Sequence, residues 1–106
     1  MKEITVQELK SMMDNKEDFQ LIDVREQNEY DFVNLDGELI PVGNIIEHVD
    51  QISTDKKVII HCRSGARSAN AIHAIQAAKG GYDNLYNLKG GILAWSDEID
   101  PSKPKY

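Results

Sequence analysis

The sequence has few cysteines, few basic residues and no long hydrophobic run. Its one cysteine cannot form a disulfide within the chain, which suits a reducing compartment, so we expect a cytoplasmic protein. The N-terminus lacks the apolar stretch of a signal peptide. No apolar segment approaches the ~20 residues that a membrane-spanning helix needs.

Basic residues are outnumbered by acidic ones, 12 against 18, which gives a net charge of -6. This balance argues against nucleic acid as a partner, because phosphate binding needs a basic surface. It argues equally against docking on an anionic membrane. A small anionic substrate remains compatible, since a few local arginines can make a positive pocket in an acidic protein.

The length of 106 residues suits one domain, which we place at residues 1–99, with a C-terminal tail at 100–106 that carries two prolines. Helix and strand signals alternate along the domain. Helices are predicted from a Thr5–Glu8 capping box onward and over 26–33, 45–52, 67–79 and 92–99; strands over 20–24, 38–40, 57–62 and 85–88. This alternation predicts an α/β fold with a central, mostly parallel β-sheet flanked by helices on both faces.

The chemistry is expected where the most buried strand ends, because sites in such sheets lie beyond the carboxyl ends of strands. Cys62 ends that strand, and a short loop with Gly65 leads into the next helix. Backbone N–H groups of such a loop form an anion-binding nest, and the helix N-terminus adds partial positive charge. Arg63 and Arg67 add full charges. These features favour a thiolate, which is the nucleophilic form of cysteine.

Three stretches of the sequence together resemble the rhodanese family. They are Leu21-Ile22-Asp23-Val24-Arg25-Glu26 with Glu29-Tyr30, the loop Cys62-Arg63-Ser64-Gly65-Ala66-Arg67-Ser68, and Leu88-Lys89-Gly90-Gly91-Ile92-Leu93-Ala94-Trp95. Their order and spacing match over residues 1–98. Residues 34–41 depart from the usual family pattern and are similar to single rhodanese modules associated with ubiquitin-like sulfur carriers.

The resemblance implies a sulfurtransferase that carries sulfane sulfur as a persulfide on Cys62. It implies that the substrate-binding loop Arg63, Ser64, Gly65, Ala66 and Arg67 cradles the sulfur, with Arg63 and Ser64 at the entrance and Arg67 fixing the loop. The expected donor is a small anion such as thiosulfate or a protein persulfide, and the acceptor is cyanide or a thiol. No cofactor and no metal are expected, since the three histidines are scattered along the chain.

Two other functions are compatible with parts of the pattern. A cysteine-dependent phosphatase would have one residue more than the four that separate Cys62 from Arg67. A non-catalytic interaction module could use the same fold, although such modules usually lose the cysteine.

Several residues outside the loop have two readings. Asp23 and Arg25 could border the pocket, but a structural ion pair is the favoured interpretation. His61 could act as a base, although strand alternation points it away from Cys62. Trp95 is expected to pack against the helix that follows Cys62.

Overall fold

The computed structural model describes residues 1–106, in which strands and helices alternate. The strands are β1 (Glu3–Ile4), β2 (Phe19–Asp23), β3 (Glu38–Leu39), β4 (Lys57–His61) and β5 (Leu85–Leu88). The α-helices are α1 (Val6–Asp14), α2 (Gln27–Phe32), α3 (Ala66–Ala78) and α4 (Gly91–Glu98). No helix is both long enough and apolar enough to cross a membrane.

The five strands form one sheet in the order β1-β5-β4-β2-β3, and every pairing is parallel. The predicted α/β architecture is therefore confirmed. β4 lies at the centre, where Ile60 pairs with Ile22 of β2 and with Asn87 of β5. Parallel strands end at the same edge of a sheet, so the ends of β2, β4 and β5 meet around Cys62.

Helices cover both faces of the sheet, and each face has its own apolar core. Ile60 and Cys62 belong to the core beneath α3, together with Ile72 and Ile75. Ile59 points the other way, into the core beneath α1 and α4. Val58, Ile59 and Ile60 are completely buried, as expected for a central strand that is covered on both faces.

The capping box that marks the start of α1 is present. The Thr5 hydroxyl accepts from the Glu8 backbone N–H, and the Glu8 carboxylate accepts from the Thr5 backbone N–H, both at 3.1 Å. β1, which precedes it, is absent from the prediction because two residues are too few to show an alternating pattern.

Two local predictions are wrong. Residues 45–52 form no regular helix: one 3-10 turn precedes the segment at Val42–Asn44, and another lies within it at Val49–Gln51. β-branched residues and an extended Pro41 give helix propagation little support there. Trp95 lies in the core beneath α1, so the sheet separates it from α3.

Candidate active site

Cys62 directly follows β4, and its sulfur is enclosed by the loop that leads into α3. The side chain is 1% exposed. Sγ accepts from the backbone N–H of Gly65 at 3.1 Å and from that of Ser68 at 3.4 Å. The Ser68 hydroxyl lies 3.4 Å from the same sulfur. A sulfur in this position is surrounded by hydrogen-bond donors, as an anion would require.

The pKa of Cys62 is lowered despite its burial. Burial is the largest single influence and raises the pKa, because it disfavours a charged sulfur. The Ser68 hydroxyl and the backbone N–H groups of Ser68, Gly65 and Ser64 act in the opposite direction and together prevail. The loop therefore favours the thiolate, which is the reactive form of cysteine.

The shape of the loop is held by α4, which begins beside it. The backbone N–H groups of Ile92 and Leu93 donate to the carbonyl oxygens of Cys62 and Arg63, at 3.0 and 3.2 Å. These carbonyls belong to the start of the loop, and their orientation fixes the peptide planes there. Gly65 completes the turn with φ 115°, a left-handed conformation that glycine adopts without strain.

Arg67 lies at the far end of the loop and is paired with Glu29 of α2. Two guanidinium nitrogens donate to the two carboxylate oxygens, at 2.7 and 2.8 Å. This pairing is the main cause that lowers the pKa of Glu29 to about 2 and raises the pKa of Arg67. The Arg67 charge is therefore largely compensated, and its clearest structural effect is to tie α3 to α2.

The tail reaches back to the same region through Tyr106. Its hydroxyl donates to Glu29 at 2.7 Å and accepts from Arg25 at 2.9 Å. Its ring lies 5.3 Å from the Arg63 guanidinium, and Arg63 Nε donates to the main-chain oxygen of Tyr106 at 2.6 Å. The division of the chain between residues 99 and 100 is still a prediction.

Asp23, Arg25 and His61 form a fully buried polar group behind the loop. The Arg25 Nη2 atom donates to Asp23 at 2.7 Å, and neither side chain is exposed. His61 Nε2 lies 3.6 Å from Asp23 and makes no hydrogen bond. Burial is the main cause that lowers the pKa of His61, which keeps the ring neutral at pH 7. The expected structural ion pair between Asp23 and Arg25 is confirmed.

Of the predicted loop residues, Gly65 donates directly to the Cys62 sulfur, whereas the Arg63 and Arg67 side chains pair with Tyr106 and Glu29. Arg63, Ser64 and Ala66 are exposed, whereas Gly65 and Arg67 are half-buried. No group of three or more His, Cys, Asp or Glu side chains is arranged to hold a metal ion.

Sequence reasoning included Ser68 in the loop but gave it no role, and it missed Asn87, which contacts Ser68. The Ser68 hydroxyl and Asn87 Oδ1 are 2.5 Å apart, and both residues are buried. Asn87 does leave a signal in the sequence. Asn87 is a polar residue in the buried strand β5, which pairs with the strand that ends at Cys62. A buried polar side chain needs a hydrogen-bond partner.

The chain is similar to known proteins over most of its length. The model of the family described as "Rhodanese-like domain" matches residues 5–98. The probable adenylyltransferase/sulfurtransferase MoeZ of Mycobacterium tuberculosis is 36% identical over 97% of this chain. The chain spans only 26% of the length of MoeZ.

Two further proteins match this chain over nearly their whole length. A protein of Allochromatium vinosum named "Sulfurtransferase" is 35% identical over 89% of this chain and 87% of its own. The crystal structure of a rhodanese-like domain protein from Staphylococcus aureus superposes with a TM-score of 0.82 and 32% identity, covering 93% of this chain and 95% of that one.

Proposed function

This chain belongs to the rhodanese-like domain family, and we propose that it is a sulfurtransferase that carries sulfane sulfur as a persulfide on Cys62. The observation that carries the proposal is the surroundings of the sulfur. Sγ sits within hydrogen-bond distance of the N–H groups of Gly65 and Ser68, in a loop that lowers its pKa. Relatives named as sulfurtransferases support the same activity.

The proposed reaction has two half-reactions. The Cys62 thiolate attacks the outer sulfur of thiosulfate, the S–S bond of the donor breaks, and sulfite leaves with its electron pair. The enzyme then holds Cys62–S–S⁻. Cyanide or an acceptor thiolate attacks the outer sulfur, the new bond to sulfur forms, and the Cys62 thiolate is released. Because the chain has no second cysteine, the acceptor must come from outside.

Backbone N–H groups are suited to both stages of this cycle. A thiolate at Sγ accepts from them directly, and they sit close to where the outer sulfur of a persulfide would carry its charge. Stabilisation by fixed donors needs no rearrangement when charge develops, which is why such sites are effective. Four residues between Cys62 and Arg67 make a small cradle, which fits sulfur better than a tetrahedral phosphate.

The sulfur donor and acceptor are part of the proposal. We propose a small anion such as thiosulfate or a protein persulfide as donor, because Arg63 and Ser64 are exposed beside a cysteine that is itself buried. The name of MoeZ joins sulfur transfer to adenylyl transfer, whereas the Allochromatium name gives sulfur transfer alone. We therefore propose both a small anionic donor and a protein persulfide donor. A reducing, cytoplasmic setting would keep Cys62 free for this role.

The test is intact mass spectrometry after incubation with thiosulfate, followed by cyanide. We expect the wild type to gain one sulfur atom and to lose it to cyanide, and Cys62→Ser to gain none. Ser96→Ala is a control, because this buried hydroxyl has no hydrogen-bond partner. If neither thiosulfate nor a protein persulfide loads the wild type, the chain is an interaction module of the same fold.

A further inference from the structure

The orientation of the Asn87 side chain is fixed by the carbonyl oxygen of Gly65. That oxygen lies 3.1 Å from Asn87 Nδ2 and 3.1 Å from the Ala69 backbone nitrogen. A carbonyl can only accept, so the amide nitrogen of Asn87 must face it. Asn87 Oδ1 therefore faces the Ser68 hydroxyl, at 2.5 Å.

The Ser68 hydroxyl has one proton and two acceptors that compete for it. The Gly65 carbonyl is also within 3.1 Å, but its two lone pairs already accept from two N–H groups. The remaining acceptors are Asn87 Oδ1 and Cys62 Sγ, at 2.5 and 3.4 Å. The three residues are between 0% and 5% exposed, so water is not at hand to satisfy the acceptor that loses the proton.

We propose that the Ser68 hydroxyl is a two-position donor whose proton points to Asn87 when Cys62 is a thiol or a persulfide and to Sγ when Cys62 is a thiolate. In the thiol state Cys62 S–H donates to Ser68 Oγ, and Ser68 donates to Asn87. In the thiolate state Sγ has no proton to give. The hydroxyl then turns about its Cβ–Oγ bond and donates to sulfur. The proposal deepens the proposed function, on which its catalytic meaning rests.

Asn87 acts through Ser68 as a positioning residue that opposes the thiolate. When the hydroxyl turns to sulfur, Asn87 Oδ1 is left buried without its donor, which is unfavourable. The competition of Asn87 Oδ1 with Sγ for the Ser68 proton favours sulfur loading. Once Cys62 carries a persulfide, the charge moves to the outer sulfur and the Ser68 proton can return to Asn87.

Discharge of the persulfide turns the Ser68 proton from Asn87 back to Sγ. A bond forms between the acceptor and the outer sulfur, the bond from that sulfur to Sγ breaks, and its electron pair stays on Sγ. Ser68 then turns and donates to the new thiolate. The hydroxyl thus stabilises the leaving group at the moment when it appears.

The charged and titratable groups around Cys62 are separate from this pair. Arg67 on α3 faces the loop and is paired with Glu29, Arg63 lies in the loop itself, and His61 on β4 is held neutral by burial. β5 contributes the uncharged Asn87. Substitutions at Ser68 and Asn87 change no charge, so they test the hydrogen bonds alone.

The experiment is a double-mutant cycle on the pKa of Cys62, followed by the ultraviolet absorbance of the thiolate. It uses Ser68→Ala, Asn87→Ala and the double variant, with no sulfur donor present. We expect Ser68→Ala to raise the pKa of Cys62 and Asn87→Ala to lower it by about one pH unit, a tenfold change in thiolate. Asn87→Ala also removes the Nδ2 donor from the Gly65 carbonyl, which lies 3.1 Å from Ser68 Oγ. The charged sulfur still takes the Ser68 proton, because an ionised acceptor forms the stronger hydrogen bond. In the Ser68→Ala background, Asn87→Ala should have no effect, because no hydroxyl remains to redirect.

Two further variants keep the test decisive. Asn87→Leu preserves the branched shape of the side chain without its polar atoms if Asn87→Ala folds poorly, and it should lower the pKa of Cys62 equally. Ser68→Thr restores a hydroxyl and should restore a pKa near that of the wild type. If Asn87 only supports the loop, its loss raises the pKa in both backgrounds, and that result overturns the proposal. An unchanged pKa in Ser68→Ala also overturns it. Neither result depends on sulfur transfer, which the mass measurement tests separately.

Discussion

Replacing Gly91 with alanine should disrupt the Cys62 loop, although residue 91 does not touch the sulfur. A Cβ atom at residue 91 would lie 2.4 Å from the Arg63 carbonyl oxygen and 2.7 Å from that of Cys62. Both are backbone atoms, which cannot yield as the end of a flexible side chain can. These same carbonyls accept from the first N–H groups of α4, so separating the two segments breaks the contacts that shape the loop.

The magnitude has two parts, and a second glycine separates them. Gly91 has φ 60°, a left-handed conformation that costs a residue with a side chain about 1 kcal/mol of stability or slightly more. Forcing a methyl group into a packed site adds about 2 kcal/mol. Gly81 also has a positive φ, 91°, but nothing lies within 4 Å of an added Cβ. Gly81→Ala therefore carries the strain of the backbone without the collision.

The assay is urea unfolding combined with thiosulfate loading measured by intact mass. We expect Gly91→Ala to lower the free energy of unfolding by about 3 kcal/mol, equivalent to roughly 15 °C in Tm. Gly81→Ala should lower it by about 1 kcal/mol, equivalent to roughly 5 °C. Only Gly91→Ala should also lose sulfur loading. Equal stability of the two variants, with loading retained in both, would refute the idea that α4 shapes the loop through this close approach.

Two other perturbations test the charged groups behind the loop. Asp23→Asn leaves the Arg25 guanidinium buried without its charged partner and should lower the free energy of unfolding in urea by about 3–5 kcal/mol. Asp14→Asn, which removes an exposed ion pair with Lys10, is the control and should lower it by less than about 1 kcal/mol. Similar losses in the two variants would contradict the burial of the Asp23–Arg25 pair. The pKa of Glu29 is about 2 against an ordinary 4.5, so its stabilising effect is complete above about pH 4.5 and is lost as the pH falls toward 2. Urea midpoints over this range should fall more steeply for the wild type than for Glu29→Gln, and parallel curves would contradict the assignment.

The sheet and the position of the cysteine loop could be predicted from the sequence because several local signals agree. Val58, Ile59 and Ile60 indicate a central strand, and Cys62 with Gly65 marks a turn into a helix. Residues 45–52 were mispredicted because Ile45 and Ile52 show apolar spacing without a cap. Their burial under α3 is a tertiary effect, which periodicity alone does not distinguish from a helix.

The contacts around the sulfur were less predictable, because they join residues that are distant in sequence. Glu29 pairs with Arg67 across 38 positions, and Asn87 meets Ser68 across 19. The arginines of the loop could be recognised, but their partners could not, since the partner depends on how α2 packs beside α3. The assignment of Trp95 to the wrong face has the same origin: its burial follows from its type, whereas its face depends on the path of the chain after Gly90.

These pairings explain how a chain of net charge -6 can favour an anion at Cys62. The nearby guanidinium groups contribute less than their number suggests, because Arg67 is matched by Glu29 and Arg25 by Asp23. The groups that contact the sulfur are N–H and O–H dipoles at 3.1 to 3.4 Å. The field of a dipole falls off faster with distance than that of a charge, so only donors in direct contact with the sulfur contribute strongly. The loop N–H groups and the Ser68 hydroxyl therefore decide the ionisation of Cys62, and Arg67 serves mainly to tie α3 to α2.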